Sequence, residues 1–170
     1  MTSAVLEIRD AGDGERDAVR ELTLAAYTEY ASRMTPDAWR GLDGAVRDAL
    51  ASDVRAHRIV ALRGGRLVGS VMLYPPAASA YGGLTGAARW PELRLLAVSA
   101  EARGLGVGER LVEECIRRAR ADGAEAIGLH TSHSMQGAMR LYARLGFVRA
   151  PETDFQPEGA EVVEGYRLGL

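Results

Sequence analysis

At 170 residues and 18.2 kDa, the chain is long enough for one domain with a proper hydrophobic core. Apolar residues make up 47% and charged residues 26%, a globular balance that excludes a disordered chain. A net charge of −2 leaves no electrostatic footprint for nucleic acid or for an anionic membrane. All 21 basic residues are arginine, which we read as a composition bias of the source genome. The opening MTSAVLEIRD has neither the basic nor the apolar region of a signal peptide, and no apolar run reaches membrane-spanning length. Cys115 is the only cysteine. The expectation is a cytoplasmic protein without an internal disulfide or a thiolate metal cluster.

Taken in order, Val5 to Arg9 alternates as a first strand. Asp13 or Gly14 is placed to cap a helix over residues 15–32, with Val19, Leu22, Leu24, Ala26 and Tyr30 among its apolar positions. Thr35-Pro36-Asp37 opens a second helix through Trp39, Leu42, Val46 and Leu50, with proline in the first turn. Residues 57–63 and 66–74 read as strands joined by Gly64-Gly65, a hairpin signal, and Pro75-Pro76 ends the second. Residues 77–90, AASAYGGLTGAARW, are glycine-rich with no helical period and read as a loop.

The densest signal lies at residues 91–122. Leu93 to Val98 is an apolar run suited to a buried strand. Arg103-Gly104-Leu105-Gly106-Val107-Gly108 follows, and then Leu111, Val112, Cys115, Ile116 and Ala119 repeat at helical spacing among charged residues. Strand, glycine turn and helix together leave unpaired N–H groups at a helix N-terminus, which attracts phosphate. Glycine at 104, 106 and 108 lets phosphates approach the backbone closely. A dinucleotide fingerprint would need a third glycine where Glu109 stands, and with no lysine in the chain a P-loop is excluded.

Asp122-Gly123 then makes a turn, and Ala126 to Thr131 reads as the next buried strand. Ser132 to Gln136 caps the helix that carries Tyr142. Phe147 to Arg149 is a strand, Pro151 to Gly159 a loop, and Glu161 to Leu168 the last strand. The order is β-α-α-β-β-β-α-β-α-β-β.

Arg103-x-x-Gly106-x-Gly108, between its strand and its helix, resembles the acetyl-CoA signature of the GNAT superfamily of N-acyltransferases. The stretch Ala138 to Phe147 resembles the second motif of that family, A-x-x-L-Y-x-x-x-G-F, at a distance that leaves room for one strand. The resemblance covers essentially the whole chain. It implies one α/β (α+β) domain over residues 1–170, with a mixed central sheet of six to seven strands and about four flanking helices. It also implies acetyl-CoA as co-substrate, no metal, and transfer of acetyl to a primary amine of a small molecule or peptide.

Carried onto this sequence, the backbones of Leu96, Ala97 and Val98 are expected along the pantetheine arm. Arg103, Gly104, Leu105, Gly106, Val107 and Gly108 are expected around the pyrophosphate, with Thr131, Met135 and Ala138 beside the arm. Met135 stands where the family often has an asparagine, so the contact there is expected to be apolar. Tyr142 matches the tyrosine that protonates the departing thiolate; its plainer reading is an aromatic packing helix on sheet. Glu92 stands in the register of the glutamate base of histone-type members, on the face that simple alternation shares with Arg94, Leu96 and Val98. Desolvation makes a carboxylate a stronger base; the plainer reading of Glu92 is an exposed strand-end carboxylate.

Other readings stay open beside these. His130 is an alternative base or a satisfied strand-end residue, and His130 with His133 lacks a third ligand for zinc. Cys115 belongs to the core. Tyr27, Tyr30 and Trp39 either pack or touch the acceptor, Asp154 and Phe155 touch it by location alone, and the loop at 77–90 is a gate or an insertion. A homodimer would use a surface that includes Val162, Val163, Tyr166 and Leu168. The rival activities are transfer of a longer acyl group, decided around Thr131 and Met135, and an acetyl-CoA sensor without turnover.

Overall fold

The computed structural model describes residues 4–76 and 89–170. Among them the periodic segments form a seven-stranded mixed sheet and four α-helices, as expected. In chain order these are β1 (Leu6–Asp10), α1 (Arg16–Thr28), α2 (Pro36–Ala51), β2 (His57–Arg63), β3 (Arg66–Tyr74) and β4 (Glu92–Val98). Then follow α3 (Val107–Ala121), β5 (Ala126–Thr131), α4 (Gln136–Arg144), β6 (Val148–Arg149) and β7 (Glu164–Gly169). The strands lie in the order β1-β2-β3-β4-β5-β7-β6. All pairings are antiparallel except that of β4 with β5. The loop expected at 77–90, and any gate there, falls outside the described residues but for Arg89 and Trp90.

Each face of the sheet is covered by helices whose apolar stripes the sequence displays. On one face Val107, Leu111, Val112, Cys115, Ile116 and Ala119 of α3 pack on Ile59, Val71, Leu73 and Leu93. Burying each such valine, leucine or isoleucine contributes about 1.5–3 kcal/mol. Cys115 is completely buried here, and desolvation pushes its thiol up to about 12, so it is core and not a nucleophile. On the other face Val46, Ala49 and Leu50 of α2 pack on Met72, Tyr74 and Leu95. The buried Thr23 of α1 meets Ser70 of β3 there, hydroxyl to hydroxyl, at 3.3 Å.

Several boundaries differ from expectation, each for a local reason. A 3₁₀ turn over Asp13–Glu15 precedes α1, and the Glu15 carboxylate accepts from Gly12 N–H at 2.7 Å and from the Arg9 guanidinium at 2.8 Å. That contact takes the place of a cap by Asp13 or Gly14. Beyond Thr28 the chain tightens into a second 3₁₀ turn, Glu29–Arg33. No side chain caps α4, whose N-cap is Met135. The last strand starts at Glu164, because Val163 instead bridges back to Phe155. β7 is flanked by β5 and β6, and Tyr166 on it lies under the Arg149 guanidinium at 5.3 Å. Of the residues proposed for a dimer surface, Val162 is the exposed one.

The central strand departs most from a simple pleat. Ala97 and Val98 pair with Ser70 and Gly69, whereas Leu93 and Glu92 pair with Leu73 and Tyr74, so Leu95 and Leu96 together oppose Val71. Leu95 has φ of +57°, a left-handed conformation that costs a leucine roughly 1–2 kcal/mol. This β-bulge resets the alternation. Leu96 and Val98 turn toward Gly108 of α3, while Leu95 packs on the α2 side and Arg94 acts on Tyr27 of α1. Glu92, opposite Tyr74, shares the face of Arg94 and not that of Leu96 and Val98, which corrects the expectation from alternation.

Candidate active site

The glycine turn between β4 and α3 is built by backbone conformation. Gly104 and Gly106 have φ of +75° and +78°, the region where a Cβ is penalised. Gly106 is the N-cap of α3 and has no side chain with which to cap. The first helical bond beyond it runs from Arg110 N–H to Gly106 C=O at 3.1 Å. The amides of Val107, Gly108 and Glu109 are therefore first-turn donors aimed out of the helix end. Gly108 serves packing, since a Cβ there would sit 3.4 Å from Leu141 of α4. Arg103 reaches across to Glu29 at 2.5 Å, so its charge has a protein partner, and Leu105 is half exposed.

Beside this turn β4 and β5 separate. They share one rung, Glu92 with Gly128, and Trp90 packs so closely on Gly128 that a Cβ there would meet its Nε1 at 2.7 Å. Past that rung the edge of β4 at Leu96, Ala97 and Val98 makes no ladder with β5. A cavity of about 530 Å³ opens in the gap, lined by Leu96, Thr131, Met135, Ala138 and Tyr142. Ala97 turns its side chain into the core. The Thr131 and Ser132 hydroxyls are buried, and neither has a hydrogen-bond partner among the described residues. Buried polar groups without partners are costly. An open strand edge, a buried hydroxyl awaiting a partner and a cradle of amides suit an amide-bearing arm that ends in a pyrophosphate. The residues thus fit the acetyl-CoA that the resemblance implies.

Of the side chains with proton chemistry, His130 and Tyr142 line the same cavity, and Glu92 stands behind His130, outside the lining. Glu92 is 7% exposed, and its Oε2 lies 3.5 Å from His130 Nδ1. His130 Nε2 is 2.8 Å from the Thr153 carbonyl, which can only accept, so Nε2 carries the hydrogen and Nδ1 faces the carboxylate. Phe155 stands against the His130 ring at 5.2 Å. Tyr142 enters from α4, buried and edge-on to Phe147 at 5.8 Å. The sequence named Glu92 and His130 as competing bases, and the fold makes them neighbours.

The outer wall comes from α1, α2 and the segment before β7. Tyr27 and Tyr30 line it, edge to face at 5.6 Å, and burial raises the pKa of both phenols. Trp39 is not among the lining residues, whereas Phe155 is. Asp154 instead accepts two hydrogen bonds from Arg149, at 2.8 and 2.7 Å, and one from Gly165 N–H at 2.8 Å. The guanidinium holds the Asp154 carboxyl down at about 2. His133 is exposed, 3.2 Å from Glu164. Among the described residues no three His, Cys, Asp or Glu side chains come together as metal ligands. Arg94 and Tyr74 also line the cavity, and the sequence reading missed both; the bulge that aims Arg94 carries no sequence signal of its own.

Residues 16–147 match the family model of the acetyltransferase (GNAT) family. A segment of 58 residues is 38% identical to the N-alpha-acetyltransferase MAK3 of Arabidopsis thaliana, and it spans 34% of this chain and 30% of that protein. Among solved structures the fold resembles the histone acetyltransferase HPA2 and related acetyltransferase from Corynebacterium glutamicum, with a TM-score of 0.68 at 23% identity over 98% of this chain and 96% of that one. It also resembles a GNAT family acetyltransferase from Brucella melitensis in complex with acetyl-CoA, with a TM-score of 0.61 at 20% identity over 94% and 96% of the two chains.

Proposed function

The chain belongs to the GNAT family of acetyltransferases, and from that premise we propose that it transfers the acetyl group of acetyl-CoA to a primary amine of a small molecule or peptide. One observation carries the reading: a single cavity between parted strands is lined by both Tyr142 and His130, with Glu92 set behind the His130 ring outside the lining, next to an anion cradle. The bound acetyl-CoA of the Brucella melitensis neighbour and the N-alpha-acetyltransferase activity named for the Arabidopsis relative support it. No helix among the described residues is long and apolar enough to cross a membrane, and the reading places the enzyme in the cytoplasm.

Acetyl-CoA supplies the activated acyl group when bound. The amides of Val107, Gly108 and Glu109 hold its pyrophosphate, helped by the α3 dipole at about 0.3–1 kcal/mol per charge. Thr131 Oγ1 and the open edge of Leu96 to Val98 satisfy the amides of the arm, and Met135 and Ala138 give it an apolar side. Two proton transfers remain for the protein. An amine with a pKa of about 10.4 is protonated near neutrality, and freeing its lone pair costs roughly 4–5 kcal/mol at pH 7. Glu92, directly or through water, takes that proton, with the His130 ring held beside it by Thr153. Tyr142 donates to the departing thiolate, and a positioned acid contributes about 10²–10⁴-fold in rate. The amine attacks directly, so no residue need become acylated.

Release of free thiol from acetyl-CoA, with amino acids, polyamines, aminoglycosides and peptides as pooled acceptors, tests the reading. Release above the acceptor-free rate in one pool is the expected result. No release in any pool, from protein that demonstrably binds acetyl-CoA, would overturn it.

A further inference from the structure

The cavity carries more information about its acceptor than the chemistry alone requires. Besides Tyr142 its walls include Tyr27, Tyr30, Leu42, Val46, Tyr74 and Phe155, a surface suited to a bulky apolar or aromatic group. Into this wall the bulge at Leu95 turns one cation. Arg94 is the only arginine among the described lining residues, and it acts electrostatically on the Tyr27 hydroxyl. Because the bulge lies after position 94, Arg94 and Glu92 stay on one face, opposite Met72 and Tyr74. Two residues along a strand place their origins about 6–7 Å apart, and the His130 ring that Glu92 faces lines the cavity with Arg94, so one small molecule can touch that ring and the guanidinium.

Charge at the mouth has the opposite sign. Asp37 and Asp48 of α2, and Glu158 and Glu161 before β7, line the opening and are all exposed. Arg40 pairs with Asp37, and Ser134 donates to Glu161 at 2.5 Å, which tempers two of them. A negative rim draws in an ammonium group, and a guanidinium deeper in the cavity receives a carboxylate, best through two parallel N–H···O bonds.

We infer that the acceptor is a zwitterion, an α-amino acid with a bulky apolar or aromatic side chain, whose carboxylate is held by Arg94 while its amine faces His130, which Glu92 backs. This rests on the acetyl-transfer reading above. A peptide N-terminus matches less well, because its first carbonyl offers one neutral acceptor where the carboxylate offers two charged oxygens to the guanidinium fork.

The test separates binding from turnover. Calorimetry in the presence of CoA measures the affinities of phenylalanine and leucine, of their amides and of the corresponding decarboxylated amines. It is done on the wild type and on Arg94→Gln, with melting curves to show that both are folded. The expected result is that at least one acid binds tenfold or more tighter than its amide and its amine to the wild type. In Arg94→Gln that ratio falls to about one. If neither acid binds better than its amide to the wild type, or if Arg94→Gln keeps the wild-type ratio, the inference is overturned. Selective binding of the acid without thiol release would leave the carboxylate site standing and sink the catalytic reading instead.

Discussion

Glu92 and His130 stand on the two strands that separate, and their side chains meet across the gap, Oε2 to Nδ1 at 3.5 Å. Only one rung joins these strands, at Gly128, two residues before His130. The distance is too long for a tight hydrogen bond and leaves room for an incoming proton. Thr153 O fixes the other ring nitrogen at 2.8 Å, so the imidazole cannot turn its Nδ1 away without losing that bond. If the two side chains work as one unit, their losses do not add. Glu92→Gln and His130→Gln should each lower kcat/KM by about 10²-fold or more, and the double variant should be little worse than the weaker single. A pH–rate profile is the check: Glu92→Gln with an unchanged low-pH limb would move the base elsewhere.

Tyr142 is buried against Phe147 and lines the cavity, so a change that keeps the ring keeps the packing. Tyr142→Phe should therefore melt within a few degrees of the wild type and bind acetyl-CoA with similar affinity. Its kcat should fall by about 10²–10⁴-fold if the hydroxyl is the acid. Unchanged turnover across the pH range would leave Tyr142 with packing alone.

How much of this was legible depended on whether the signal was local. The glycine turn, the α3 stripe and the Gly64-Gly65 hairpin are written in adjacent residues, and the left-handed glycines appear where a turn needs them. The bulge was not legible. A leucine at φ +57° inside an apolar strand looks like any other strand leucine, yet it decides which way Glu92 and Arg94 point. The Glu92–His130 pair was half legible: both residues stood out by type, but their meeting depends on a parallel register between segments that α3 separates. The residues before β7 read as a loop, and only its anchors, Asp154 on Arg149 and Gly165 and Val163 on Phe155, make it a wall of the cavity.

Gly106 separates conformation from contact. A Cβ at that position meets nothing within 4 Å, so the fold resists a side chain only through the φ of +78°, worth roughly 1–2 kcal/mol. Gly106→Val should fold with a modestly lower Tm. It should lose acetyl-CoA affinity far beyond what that destabilisation explains, because its side chain would stand at the mouth of the amide cradle. Wild-type affinity, measured by calorimetry, would mean that the pyrophosphate lies elsewhere.

The Asp154 clamp makes a prediction about acid stability with a definite sign. Arg149 and the Gly165 amide favour the carboxylate, which lowers its pKa from 3.8 to about 2. A group depressed in the folded state stabilises fully above its unfolded pKa and loses that contribution as pH falls toward the folded value. With the side chain 23% exposed, the contribution is about 1–2 kcal/mol after screening. Asp154→Asn should melt lower than the wild type at neutral pH, and the gap should narrow between about pH 4 and pH 2 as the wild-type carboxylate takes up its proton. The neutral-pH variant should also show a raised KM for the acceptor, since the clamp fixes the turn whose Thr153 carbonyl holds His130. Melting curves for both proteins from pH 7 down to pH 2 would decide it: a gap that stays constant or widens toward acid would show that Asp154 is not held as a carboxylate by Arg149.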